Sequence, residues 1–186
     1  MNLCGKSSGT SKCLLTDHSP RPATNVSLER QSLTYLEDDL GRPKVEATAD
    51  LCQQVNHQLE VHEQRERFRR SMEVGNCLFC CVGAIETRRF IWEAVKDTVG
   101  FFSDGRMSAE VVRVLTVADP EGRSHYPSTL FRAEEAHTGA CTAKSTIFTA
   151  NIAAGLMLEQ FSRWLRRLPV DADIQMNLLS SELSVS

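Results

Sequence analysis

The sequence predicts an α/β fold, a mixed sheet containing parallel strands with helices packed against it. Two patterns predict this. From residue 44 onward, segments with helical spacing alternate with short apolar or alternating segments. Within them, N-C-L-F-C-C-V-G (residues 76–83) is a continuous apolar run, as in a strand buried on both faces of a parallel sheet.

Taken in order, residues 1–26 are rich in Ser, Thr, Pro and Gly, lack periodicity, and read as loop or disordered chain. A folded domain is expected over residues 27–186. Pro43 suits the start of a helix, where its missing N–H costs nothing. Val45, Ala49, Cys52, Val55 and Leu59 then mark one face of a helix running to about His57. Leu59–His62 alternates like a short strand. E-Q-R-E-R-F-R-R-S (residues 63–71) reads as a charged helix, and Cys77–Val82 as the buried strand. A helix over 84–97 turns Ile85, Phe90, Trp92 and Val95 inward and Glu86, Arg88, Arg89 and Lys96 outward. Val99–Phe102 and the β-branched Glu110–Val117 are strands, and Asp119-Pro120-Glu121-Gly122 is a turn. A long helix over 146–168 carries Ile147, Ala150, Ala154, Met157, Phe161, Trp164 and Leu168 at helical spacing and stops before Pro169. Residues 173–179 and 182–185 follow as terminal strands.

The chain has 186 residues, 41% of them hydrophobic and 24% charged, with a net charge of -3. These values suit one soluble domain with a real core and give no compositional case for nucleic acid or an anionic membrane. No apolar run reaches the roughly 18 residues that span a bilayer. Cytoplasm is the expected location. There are seven cysteines. Their odd number and scattered spacing argue against a secreted disulfide framework. Cys77, Cys80 and Cys81 share their run with Leu78, Phe79 and Val82, so they are expected to pack as small hydrophobes rather than hold zinc.

The chemistry concentrates in L-E-R-Q-S-L-T-Y-L-E-D-D-L-G-R-P-K, residues 28–44. Arg can clamp two phosphate oxygens at once, and Lys supplies a compact positive charge. S-L-E-R-Q followed by G-R-P-K resembles the nucleotide-handling segment of the ThiF/MoeB/HesA family. Those proteins are ubiquitin-activating-enzyme-like adenylyltransferases. The resemblance continues through V-N-H-Q-L-E-V-H, C-L-F-C-C-V-G-A-I-E-T-R-R and C-T-A-K-S-T-I-F-T-A-N-I-A-A-G-L-M. It covers roughly 27–185 and lies nearest a bacterial ThiF-like subgroup.

The resemblance implies a Rossmann-like sheet that uses ATP and Mg2+ to adenylate the carboxyl terminus of a ubiquitin-like or sulfur-carrier protein. It implies that Arg30 and Lys44 hold phosphates, with Arg30 also acting in catalysis and Gln31 completing the R-Q pair. It makes Cys141 a candidate thioester nucleophile, and a homodimer or complementing chain the expected assembly. The chain departs from the pattern twice. It has no G-x-G-x-x-G phosphate loop. Gly83 stands where the family has its magnesium-binding aspartate. The expected fold is therefore an incomplete Rossmann-like mixed sheet with the first βαβ unit missing. Cys77–Val82 would then lie along an unpaired edge, with marginal stability or an obligate partner. The alternative reading is a degenerate, non-catalytic member acting as a dimerisation or partner-binding module.

Overall fold

Continuous apolar sequence becomes the centre of the sheet. The computed structural model describes residues 2–7, 10–16, 35–131 and 147–186. Strand β4 (Cys77–Cys80) and strand β5 (Phe101–Ser108) pair in parallel, Cys77 opposite Phe101 and Cys80 opposite Asp104. Both are almost wholly buried where they pair, and β4 is apolar throughout, whereas β5 carries the buried polar residues Ser103 and Asp104 after its two phenylalanines. Helix α2 (Ile85–Val95) makes the crossover between them. Strand β6 (Val111–Val117) turns back antiparallel on β5, and β7 (Asp173–Asn177) and β8 (Glu182–Val185) extend the sheet on that side.

On the other side of β4 the chain contributes β1 (Asn2–Ser7), β2 (Thr10–Thr16) and β3 (Glu60–Gln64). Helix α1 (Lys44–Val55) lies between β2 and β3 in the chain. The eight strands stand in the order β3-β2-β1-β4-β5-β6-β7-β8. The sheet is mixed and flanked by helices, as the α/β prediction requires. Strand β1 runs antiparallel to both β2 and β4, while β2 is parallel to β3. Thus β2, β3, β4 and β5 all point the same way, and β1 runs against them.

Two packed layers sandwich the sheet. On one face, Ile91, Trp92 and Val95 of α2 join Leu78, Cys80, Phe102, Leu115, Val117 and Tyr126. Helix α3 (Pro120–His125) covers the same face. On the other face, helix α4 (Ile147–Leu165) sets Ala153 and Met157 on Val112, Val114 and Ile174. A Cβ at Gly105 would lie 2.6 Å from Met157 Sδ, so a larger residue there would require the Met157 side chain to shift. Following the register from Val61 to Phe101 puts α1 on the α4 side, where Val45 and Ala49 pack on Leu59 and Val61.

Several expectations change. Residues 2–16, read from composition as loop, carry two strands, because ladder hydrogen bonds to β3 and β4 supply what side-chain pattern does not. The unpaired edge expected beside Cys77–Val82 is occupied, since Asn2, Leu3 and Cys4 face Phe79, Leu78 and Cys77. The charged segment 63–71 forms no helix. It has a single apolar residue, Phe68, which is buried and leaves no stripe for a helix to bury. Asp119–Gly122 opens α3 instead of forming a free turn, with Asp119 Oδ1 accepting from the Gly122 N–H at 2.8 Å. No helix among the described residues is long and apolar enough to cross a membrane.

Candidate functional site

Open α/β sheets bind ligands outside the carboxyl ends of their parallel strands. Here that edge carries the ends of β2, β3, β4 and β5, and the helices that follow β2 and β4 begin there. Both begin without a side-chain cap. Pro43 precedes α1 and Ala84 precedes α2, and neither supplies an acceptor to the first-turn N–H groups. Uncapped helix N-termini favour anions.

Lys44 is the first residue of α1 and therefore stands at this edge. The G-R-P-K segment that delivers it is braced. Gly41 turns the chain at φ +82°, a left-handed conformation that costs any other side chain strain. Arg42 bonds Asp39 Oδ1 at 2.8 Å and Asp50 Oδ2 at 2.5 Å, tying the turn to the second turn of α1. Asp39 also accepts from the Leu36 N–H at 2.9 Å. Arg30, Gln31 and Cys141 lie outside the described residues.

Gly83 lies in the loop after β4, and a Cβ there would meet nothing within 4 Å. The neighbouring carboxylates are placed differently. Glu86 is exposed in the first turn of α2 and pairs with Arg89 Nε at 3.7 Å. Asp104 is completely buried. Its Oδ1 accepts from Arg88 Nε at 2.9 Å, and its Oδ2 from Arg106 Nε at 2.8 Å and the Tyr126 hydroxyl at 2.9 Å. A carboxylate so enclosed is not free to hold a metal ion. Burial, then the charge of Asp104, pushes the Tyr126 hydroxyl far above its ordinary range, so it remains a donor.

The sequence alone does not point to this cluster. Arg88, expected on the solvent face, is 5% exposed. Its remaining nitrogens donate to the Val82 carbonyl through Nη1 and to the Gly105 carbonyl through Nη2, the latter at 3.0 Å. Arg106 reaches the Thr129 carbonyl at 2.8 Å and its Oγ1 at 3.0 Å. Arg89 holds the carbonyls of Leu130 at 2.5 Å and Phe131 at 3.1 Å. Three arginines thus tie the loop after β4, the middle of β5 and the Tyr126–Phe131 segment to one another. The available signal was D-G-R within an apolar strand.

A second charged group lies between β6, β7 and α3. Asp173 accepts from Arg113 at 2.9 and 2.5 Å and lies 2.9 Å from His125 Nε2. Burial alone would raise its carboxyl, but the bonds from Arg113 and His125 outweigh burial and hold it below its ordinary value. A lowered folded pKa means stability that is present above the unfolded pKa, about 3.9, and lost as pH falls through the folded one. Acidification below about pH 4 is therefore expected to cost the wild type more stability than Asp173→Asn. Thermal melts of both proteins from neutral to strongly acid pH measure this. Parallel curves would remove Asp173 as the cause.

No family model and no curated protein sequence matches the chain. Solved structures do. The chain is similar to E. coli MccB bound to AMPCPP and MccA, with a TM-score of 0.67 and 10% identity, over 94% of this chain and 56% of that one. For E. coli MccB with ATP the values are 0.64, 13%, 94% and 55%. For PaaA they are 0.63, 14%, 88% and 62%. At these identities the likeness shows a shared fold. The chain spans about 55–62% of the length of these proteins.

Proposed function

We propose that this chain is a ThiF-type adenylyltransferase domain that binds magnesium-ATP at the carboxyl edge of its sheet and activates the carboxyl terminus of a peptide or small protein. One observation carries the reading: Lys44 and two uncapped helix N-termini share the edge where β2 and β4 end. The fold shared with MccB, solved with ATP and with MccA, supports it. In this reading Lys44 and Arg30 neutralise phosphate charge, Gln31 completes the nucleotide contact, and Cys141 accepts the activated carboxyl as a thioester. The substrate is a ubiquitin-like or sulfur-carrier protein or a shorter peptide. The working assembly is a homodimer or a complex with a complementing chain, in the cytoplasm.

Lys44→Ala is expected to weaken magnesium-ATP binding by tenfold or more, since one charge-assisted contact is worth roughly 1.5–3 kcal/mol. It should leave the melt nearly unchanged, because among the described residues Lys44 is bonded through its backbone carbonyl, which accepts from Thr48 Oγ1 at 2.7 Å within α1 and survives the change. Equal affinities would remove Lys44 from the site.

A second reading, a non-catalytic partner-binding module, is favoured by the N-terminal hairpin. Strands β1 and β2 are separated by two residues, where a nucleotide fold of this kind has a glycine loop and a helix. Gly83→Asp separates the two readings. Open space around Gly83 admits the side chain. If only the metal ligand is wanting, the variant should bind ATP more tightly in magnesium and, given a carboxyl-terminal substrate to adenylate, catalyse ATP–pyrophosphate exchange. The non-catalytic reading predicts neither gain.

A further inference from the structure

We propose that Arg88 is a positioning residue for the carboxyl-edge site, holding the 81–84 loop against β5. Its three nitrogens go to three separate places: the Asp104 carboxylate, the Gly105 carbonyl and the Val82 carbonyl. Val82 is itself in the core, whereas Gly83 and Ala84 are exposed. The guanidinium therefore grips the last buried residue before the chain turns out to solvent and starts α2. A planar fork with five donors can serve acceptors in three directions, which an ammonium on a flexible stem does not reproduce.

The charge count separates this role from general stability. Asp104 keeps Arg106 and Tyr126 when Arg88 is removed, so Arg88→Met leaves a one-to-one buried pair, Asp104 with Arg106. The Val82 carbonyl, by contrast, is left without the guanidinium that ties the loop to β5. Arg106 is directed elsewhere. It bonds Asp104 and Thr129, and its guanidinium lies 5.6 Å from the Tyr126 ring centroid.

The test compares Arg88→Met, Arg88→Lys and Arg106→Lys in the full chain by amide hydrogen exchange and by magnesium-ATP titration. The binding arm rests on the nucleotide reading, and the exchange arm does not. Both Arg88 variants should speed exchange at residues 81–84 by about tenfold, the scale of one hydrogen bond removed, and weaken ATP by a similar factor. Arg106→Lys should change neither, although it lowers the melting temperature. If the loop exchanges in Arg88→Met as it does in wild type, the proposal is overturned, and Arg88→Met is the variant that decides if Arg88→Lys does not fold. If wild type binds no ATP while the loop still loosens, the nucleotide reading fails and the positioning role stands.

Discussion

Asp104→Ala is expected to destabilise the fold by about 3–5 kcal/mol, because it leaves two arginines uncompensated inside the protein. Arg88 is 5% exposed and Asp104 not exposed at all, so water cannot replace the missing partner. The Tyr126 hydroxyl loses its acceptor at the same time. Set against a typical stability of about 5–15 kcal/mol, this is a large share. Asp104→Asn should cost less, since it keeps the shape and an acceptor oxygen. Urea unfolding of the purified variants gives the difference. A shift of less than about 1 kcal/mol in Asp104→Ala would mean that the cluster is hydrated or loosely paired.

Trp92→Ala is expected to cost about 3–5 kcal/mol for a different reason, the cavity left at the centre of the core. Trp92 is 1% exposed, with ring centroids 5.1 Å from Phe102 and 4.8 Å from Tyr126. It therefore joins α2 to β5 and to the turn that follows α3. Its indole N–H has no partner among the described residues. Trp92→Phe should accordingly cost well below the alanine change, because no hydrogen bond is given up. The same unfolding experiment reads both. Equal costs for Phe and Ala would mean that the indole N–H finds a bound water whose loss matters.

The sheet was legible where apolar residues run on without interruption. Cys77–Cys80 and Val111–Val117 can lie only inside a layered structure, and the helices between them carry their own periodicity. Helix α1 was legible from Pro43 and from Val45 and Ala49, and the latter two are buried. The hairpin of β1 and β2 was not, because its pairing partners β3 and β4 are more than 40 residues away in the chain. The segment around Phe68 misled because Glu, Gln and Arg are good helix formers locally. Its one buried side chain decides otherwise, with Arg70 lying 5.3 Å over the Phe90 ring. Arg88 misled for the related reason that charge implies solvent. Only the parallel register that sets Cys80 opposite Asp104 brings a counter-ion within reach.

The same limit applies to the site. The G-R-P-K spacing pointed to Lys44, and the structure stands Lys44 at a helix start on the carboxyl edge. The arginine cluster beside this edge left only the D-G-R trace, because its members come from α2, β5 and the turn after α3, and no motif joins them.

On the proposed reading, the carboxyl edge of the sheet binds a nucleotide. The deciding experiment is calorimetric titration of the purified, folded chain with magnesium-ATP. Saturable binding with about one nucleotide per chain is the predicted result. A folded sample that takes up no nucleotide at any magnesium concentration would contradict it and leave the domain as a partner-binding module.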